Sequence, residues 1–405
     1  MLDGVIHTVG LEDIHAARRL LAGVARTTPM EGLRGLSAQV GGPVLLKCEN
    51  LQRTGSFKIR GAYVRIARLT PAERSRGVVA ASAGNHAQGV ALAASLLGCR
   101  STVFMPHAAP LPKVAATTAY GAAVRHAGHT VDQALVAARA FADETGAVLI
   151  HPFDHADVIA GQGTVGLEIL EQRPDVRTVV VCTGGGGLVA GIAAAVKALR
   201  PDVRVVAAQA RGAASFPGSL AAGRPVPLEA MATMADGIAV GCPGELTFAM
   251  VRDLVDNVVT VDEEALSRAL LLCLERAKLV VEPAGAAGLA AVMEHPTAFE
   301  APVVAVLSGG NIDPLLLTKV VRHGLVAAGR FLSLRVSIPD RPGELARLLG
   351  VLAGTGANVL EVEHSRTGLS LHVDEVEVAL ELETRGRLHG DDVLAGLAAV
   401  GYAVT

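Results

Sequence analysis

Thr178-Val179-Val180-Val181-Cys182-Thr183-Gly184-Gly185-Gly186-Gly187-Leu188 decides how the rest of the chain is read. Thr178 to Cys182 is strongly apolar, as expected of a strand buried on both faces. Four consecutive glycines follow, and Val189 to Leu199 has the composition of a helix. A strand, a glycine turn and a helix in that order make an anion cradle. Backbone N–H groups converge on one point, and the helix N-terminus adds the positive end of its dipole. As a mere tight turn, such a glycine run would lose conformational entropy with no packing return. Gly185, Gly187 and Ala190 also satisfy a loose G-x-G-x-x-A spacing, which alone is weak. A dinucleotide site further asks for an acidic residue at the end of the next strand, and Gln209 stands there. The stretch therefore favours a single phosphate group over a dinucleotide, held by an open α/β sheet.

The flanking sequence repeats the pattern. Leu11 to Ala25 has helical spacing, with Ile14, Ala17, Leu20, Leu21 and Val24 on one face, and Thr28-Pro29 ends it. Val44 to Leu46 reads as a strand. Val78 to Ala81, Ser101 to Met105 and Val124 to His126 read as strands, alternating with helices over Gln88 to Leu97, Lys113 to Tyr120 and Thr130 to Glu144. Beyond them come a helix over Thr164 to Gln172 and a strand over Arg204 to Gln209. Helices over Glu263 to Arg276 and Ala284 to Glu294 and a strand over Val303 to Leu307 complete the series. Short apolar strands alternating with helices predict a parallel α/β sheet that binds ligands beyond its carboxyl strand ends. The last segment differs. Leu332, Leu334, Val336 and Ile338 alternate with polar residues, as in a half-buried strand. A helix over Glu344 to Ala353 follows, then strands over Asn358 to Glu363 and Val376 to Leu382. A helix over Asp391 to Val400 and a short strand over Tyr402 to Val404 close the chain. This β-α-β-β-α-β order is a ferredoxin-like unit.

The chain has 405 residues, so two or three domains are expected. Hydrophobic residues make up 51% and charged residues 19%, enough apolar material for a large core. A net charge of -3 without a long basic run argues against nucleic acid or an anionic membrane as partner. No uninterrupted apolar run is long enough to span a bilayer. Met1-Leu2-Asp3-Gly4 shows no basic stretch leading into an apolar core, as a secretory signal would. Cys48, Cys99, Cys182, Cys242 and Cys273 are odd in number and scattered, which suggests neither a disulfide frame nor a zinc site. A cytoplasmic location is expected. Tryptophan is absent and aromatics are 3%, too few for a stacking surface that binds single strands.

Three further stretches stand out, one at a turn leading into a helix and two at expected strand ends. In Ser56-Phe57-Lys58-Ile59-Arg60-Gly61, Ser56 is expected to cap a helix through its hydroxyl. Lys58 then falls in the first turn, where the helix dipole disfavours a second positive charge and makes the amine more nucleophilic. Alone, such a lysine reads as a solvated surface charge. Ser82-Ala83-Gly84-Asn85-His86 opens another helix, and alone Ser82 reads as its N-cap and His86 as a satisfied surface residue. Ser308-Gly309-Gly310-Asn311 follows the last strand, and alone Ser308 reads as a turn residue.

Together, these stretches and the glycine run resemble the pyridoxal-phosphate (PLP) enzymes of fold type II, and among them the threonine dehydratases. The resemblance runs from Leu11 to Val326. It implies an α/β fold of two open, twisted parallel-sheet subdomains, a small one over 54–148 inserted into a large one over 1–53 and 149–326. Residues 331–405 resemble the ACT domain, an α+β ferredoxin-like module that binds small amino acids.

The resemblance also implies roles. Lys58 would carry the aldehyde of pyridoxal 5'-phosphate and act as general base. Phe57, Asn85, Gly184, Gly185, Gly186, Gly187, Leu188 and Ser308 would surround the cofactor. The glycines would hold its phosphate, Asn85 would bond its ring oxygen and Ser308 its pyridine nitrogen. A hydroxyl cannot keep that nitrogen protonated as a carboxylate would, which suits elimination better than transamination. Ser82, Ala83, Gly84, Asn85, His86 and Gly237 are the implied substrate contacts. Serine racemases carry a second serine where Ala83 stands, and Ala83 has no proton to give, so elimination is expected over racemisation. An acidic pair that holds a divalent cation in the family matches Gln209 and Ser215 here, and no metal is expected. Asp340, Pro342, Gly343 and Asn358 are the implied effector contacts, for isoleucine or valine. The expected activity is dehydration and deamination of L-threonine to 2-oxobutanoate and ammonia, with L-serine to pyruvate as a side activity, in a homo-oligomer (dimer or tetramer). A serine dehydratase or racemase-type enzyme and an inactive amino-acid-sensing binding protein stay open as alternatives.

Overall fold

A computed structural model of the chain describes residues 8–366 and 374–404. Met1 to Gly4, read above for a leader, lie outside the described residues. The chain divides into two compact units, Met1–Pro314 and Leu315–Thr405.

In the first unit the apolar strand Thr178–Cys182 lies inside a six-stranded sheet. The order is Met30–Gly32, Val44–Lys47, Val303–Val306, Thr178–Cys182, Arg204–Ala210, Asn257–Val261. All neighbours run parallel except Met30–Gly32, which pairs antiparallel with Val44–Lys47 at one edge. Thr178–Cys182 and Val303–Val306 are buried at every position, which is why neither shows an alternating pattern. A second, four-stranded parallel sheet runs in the order Ala123–His126, Ser101–Met105, Val78–Ala81, Val148–Leu149. Its strands all fall between Val44–Lys47 and Thr178–Cys182 in sequence. The chain thus leaves the larger sheet, builds the smaller one and returns.

Several boundaries differ from the sequence expectation. The first helix stops at Leu20, and the helix expected from Thr164 begins at Ala156. The helix from Glu263 is α-helical only to Leu272 and continues as a π-turn over Cys273–Ala277. The helix Glu245–Leu254 and the edge strand Asn257–Val261 were not expected.

Two devices fix the helix Lys58–Ala67 against the helix Ala156–Gln172. A Cβ on Gly161 would stand 2.6 Å from the Cα of Gly61, so the two backbones touch there and only glycine fits. The second device is a buried ion network. Arg60 donates from Nε and Nη2 to Glu49 at 2.8 Å and from Nη1 to Glu168 at 2.6 Å. Lys47 Nζ donates to the other Glu168 oxygen at 2.6 Å, and Thr28 Oγ1 donates to Glu49 at 2.6 Å. Two cations thus face two carboxylates, and Arg60, Lys47, Glu49 and Glu168 are all buried. Burial alone would discourage ionisation of Glu49, but the charge and hydrogen bonds of Arg60, with Thr28 and Lys47, outweigh it and hold the carboxyl below its usual range.

The second unit contains a three-stranded antiparallel sheet in the order Phe331–Pro339, Glu375–Glu383, Asn358–Ser365. Leu334, Val336 and Ile338 are buried while Ser333, Arg335 and Ser337 are exposed, as the alternation requires. The helices Glu344–Thr355 and Arg387–Ala399 bring Leu348, Leu352, Val393 and Leu397 onto that apolar face. The strand expected over Tyr402 to Val404 is reduced to one bridge, Val404 to Val336, beside the first strand.

Candidate active site

The structure gathers the expected residues of the first unit around one cavity of about 210 Å³. Phe57, Lys58, Ser82, Ala83, Gly84, Asn85, His86, the run Gly184 to Leu188, Gly237 and Ser308 all line it. They come from loops at the carboxyl ends of Val78–Ala81, Thr178–Cys182 and Val303–Val306, from the start of the helix Lys58–Ala67 and, for Gly237, from the turn Asp236–Ile238. This is where parallel sheets place their ligands.

Lys58 is the first residue of its helix, but its cap differs from the expectation. Phe57 occupies the N-cap position without a side-chain bond, and Ser56 is extended and bridges to Gly309. Pairing with the Ser308–Asn311 turn takes Ser56 out of capping geometry. Lys58 Nζ donates to the Pro152 carbonyl at 2.9 Å and lies 5.2 Å from the Phe57 ring centre. Burial is the main force on the amine and brings its pKa down to about 8, against the opposing charge of Glu282. Desolvation is the main cause, a contribution that the sequence alone did not show. His86 is buried, with its Nε2 2.8 Å from the Ile150 carbonyl, so that nitrogen carries the proton. Burial, with the charge of Lys58, takes its pKa down to about 3 and keeps the ring neutral.

The glycine cradle is closed by packing. A Cβ on Gly185 would stand 2.5 Å from the Phe153 ring, and one on Gly186 would stand 2.8 Å from Phe216. Gly186 has φ 94° and caps the helix Gly187–Leu199, whose first N–H groups face the cavity end of the strand. Across the cavity, Ser308 is buried beside the thiol of Cys182, whose pKa is raised by burial, so it stays protonated. An anion cradle, a buried amine with a lowered pKa and a hydroxyl at the end of the neighbouring strand fit a phosphorylated carbonyl compound with a ring nitrogen. Pyridoxal phosphate has those three parts.

Asn85 is held at both ends of its amide. Its Oδ1 accepts from Asn311 Nδ2 at 2.7 Å, and its Nδ2 donates to Glu282 Oε1 at 2.5 Å. Glu282 was not expected from the sequence, nor were Lys113 and Asp236, which pair at 2.7 Å on the cavity wall. The local signal for Glu282 is Pro283, which marks the start of the helix Pro283–Glu294 and puts Glu282 at its N-cap.

Gln209 and Ser215 are buried, and Gln209 Oε1 accepts from the Phe216 amide at 3.0 Å. Among the described residues no group of three or more His, Cys, Asp or Glu is arranged to hold a metal ion. In the second unit, Asp340, Pro342 and Gly343 form the turn before the helix Glu344–Thr355, and Gly343 has φ 95°. Arg366 pairs with Asp340 at 3.0 Å and holds its carboxyl below the usual range. Asn358 pairs across from Glu383, at the opposite end of the sheet from Asp340. One chain therefore does not bring Asn358 to that turn. Among the described residues no helix is long and apolar enough to cross a membrane.

Residues 21–309 match the family described as pyridoxal-phosphate dependent enzyme, and residues 332–395 match the ACT domain. The chain is 48% identical over 396 residues to an L-threonine ammonia-lyase of Thermotoga maritima, covering 98% of this chain and 99% of that protein. Among solved structures, threonine deaminase isoform 2 of Solanum lycopersicum, in its processed form, superposes with a TM-score of 0.73 at 36% identity, over 78% of this chain and 95% of that one. Maize serine racemase superposes with a TM-score of 0.74 at 38% identity, over 79% of this chain and 99% of that one. The chain belongs to the pyridoxal-phosphate-dependent enzymes of the L-threonine ammonia-lyase family, with a C-terminal ACT domain.

Proposed function

We propose that this protein dehydrates and deaminates L-threonine to 2-oxobutanoate and ammonia, and turns L-serine into pyruvate as a side activity. The observation that carries the reading is the convergence of Lys58, Asn85, the Gly184–Gly187 cradle and Ser308 on one cavity. Bound pyridoxal phosphate supplies the sink for charge that develops at the substrate α-carbon. The cradle would hold the phosphate through backbone N–H groups, with Asn85 to bond the ring oxygen and Ser308 the ring nitrogen. The loop Ser82 to Gly84 holds the substrate carboxylate, with Asn85, His86 and Gly237 completing the substrate side. Lys58, whose pKa of about 8 leaves a share of neutral amine near neutrality, takes the α-proton. The β-hydroxyl leaves as water, and hydrolysis of the released enamine restores that water and frees ammonia. Ala83 carries no proton for the opposite face, which supports elimination over racemisation.

The finer assignments rest on the same reading. The subdomains run over 1–53 with 149–326, and over 54–148, and the regulatory segment over 331–405, with 315–326 grouping in the second compact unit. Two copies of that segment pair, and isoleucine or valine binds where the Asp340, Pro342 and Gly343 turn of one meets the other, with Asn358 on the facing sheet. The protein works as a dimer or tetramer in the cytoplasm, where its five free cysteines stay reduced. A comparison of kcat/KM for L-threonine and L-serine, on protein reconstituted with the cofactor, tests the activity. A higher value for threonine is expected. A higher value for serine would move the assignment to serine dehydratase. Absence of both products and of near-violet cofactor absorbance would leave an amino-acid-binding protein.

A further inference from the structure

Glu282 is a buried carboxyl inside the cavity, and the mechanism above gives it no task. It lies between the residues assigned to the ring oxygen and the ring nitrogen, Asn85 and Ser308. A Cβ on Gly309, the neighbour of Ser308, would stand 2.2 Å from Glu282 Oε1 and 3.0 Å from Asn85 Nδ2. The Glu282 amide donates to the Gly309 carbonyl at 3.0 Å, which fixes the backbone beneath the side chain. A continuous chain of bonds then runs through the site. Asn311 Nδ2 donates to the Thr54 carbonyl at 2.6 Å and to Asn85 Oδ1 at 2.7 Å, and Asn85 Nδ2 donates to Glu282 at 2.5 Å.

This chain settles which way the Asn85 amide points. Its oxygen is taken by a donor and one of its N–H groups by an acceptor, so a flipped amide would meet two mismatched partners. One N–H of Asn85 remains for the cavity. We propose that Glu282 is a positioning residue that holds Asn85 with an N–H, rather than its carbonyl, offered to the ring oxygen of pyridoxal phosphate. The inference rests on the cofactor reading given above.

The charge on Glu282 changes near neutrality. Burial is the main cause, Asp236 adds to it, and Lys113, the Asn85 bond and Lys58 oppose it, leaving the pKa at about 7. A carboxylate is the stronger acceptor for the Asn85 N–H. The grip on the ring oxygen therefore strengthens as pH rises through that value.

The test uses full-length protein and 4-deoxypyridoxine 5'-phosphate, which keeps the ring oxygen, nitrogen and phosphate but has no aldehyde to react with Lys58. Its dissociation constant is measured by calorimetry across about pH 6 to 8. The parent should bind more tightly with rising pH. Glu282→Gln, which can still accept from Asn85 but carries no charge, should bind with a profile flatter than the parent's. Glu282→Ala should bind about tenfold more weakly at the upper end, the loss of one charge-assisted bond. With an analogue that lacks the ring oxygen altogether, parent and Glu282→Ala should bind alike. Equal weakening of both analogues by Glu282→Ala, or a pH profile unchanged in Glu282→Gln, would overturn the assignment of Glu282. Failure of the parent to bind the first analogue would instead overturn the cofactor reading, and this inference with it.

Discussion

Replacing Arg60 by methionine should weaken the protein by about 3–5 kcal/mol, because it leaves buried carboxylates without their cation. Arg60 makes five hydrogen bonds: two to Glu49, one each to Glu168 and Thr164, and one to the Arg26 carbonyl. Methionine keeps most of the apolar stem, so the loss is electrostatic rather than a cavity. Glu168 retains Lys47 at 2.6 Å, whereas Glu49 is left with the Thr28 hydroxyl. The loss therefore concentrates on Glu49, and adding Glu49→Gln to the variant should return about 1–2 kcal/mol. The sign with pH follows from Glu49. In the parent its pKa is lowered, so its contribution is present above the ordinary carboxylate pKa and fades as pH falls through the folded value. In Arg60→Met the buried, unpaired carboxyl shifts upward, so acid relieves the variant. The gap between parent and variant should thus be widest near neutral pH and narrow on acidification. Denaturant unfolding followed by far-ultraviolet circular dichroism is the suitable assay, since the chain has no tryptophan. A variant within about 1 kcal/mol of the parent at neutral pH would refute the reasoning.

Gly185→Ala would press a Cβ to within 2.5 Å of the Phe153 ring, and should weaken cofactor binding by about 1–3 kcal/mol in an absorbance titration. Unchanged affinity would place the phosphate elsewhere. The rate at which cofactor-free protein takes up pyridoxal phosphate should rise with pH and level off above about 8, since the neutral Lys58 amine is the reactive form. Stopped-flow absorbance reads this, and a rate flat with pH would mean that Lys58 is not the attacking group. Deleting the chain from Arg330 onward should keep basal dehydration and remove any response to isoleucine or valine in steady-state kinetics. A retained response would put the effector site in the first unit.

Buried strands were the most legible part of the fold. Val78–Ala81, Ser101–Met105 and Thr178–Cys182 could be bounded from short apolar stretches next to glycine, cysteine and proline signals. The edge strand Asn257–Val261 was not, although Val258, Val259 and Val261 are apolar, because it is short, lies at the edge and is half-exposed. The site loops were legible for a different reason: each places chemistry-bearing residues at a strand end. What escaped the sequence depends on distant packing. Glu282 and Asn85 are 197 residues apart, and nothing near Glu282 announces their bond. Ser56 looked like a cap because a serine before a helix usually is one, and only its bridge to Gly309 takes it out of that role.

If Lys58 drives threonine dehydration in this cavity, 2-oxobutanoate release should depend on it, and Lys58→Ala tests this. With pyridoxal phosphate supplied, the parent should convert L-threonine steadily. The variant should keep the parent's circular dichroism and retain weak cofactor binding through the glycine cradle, yet release no 2-oxobutanoate above background. Release at a near-parent rate from the variant would contradict the account.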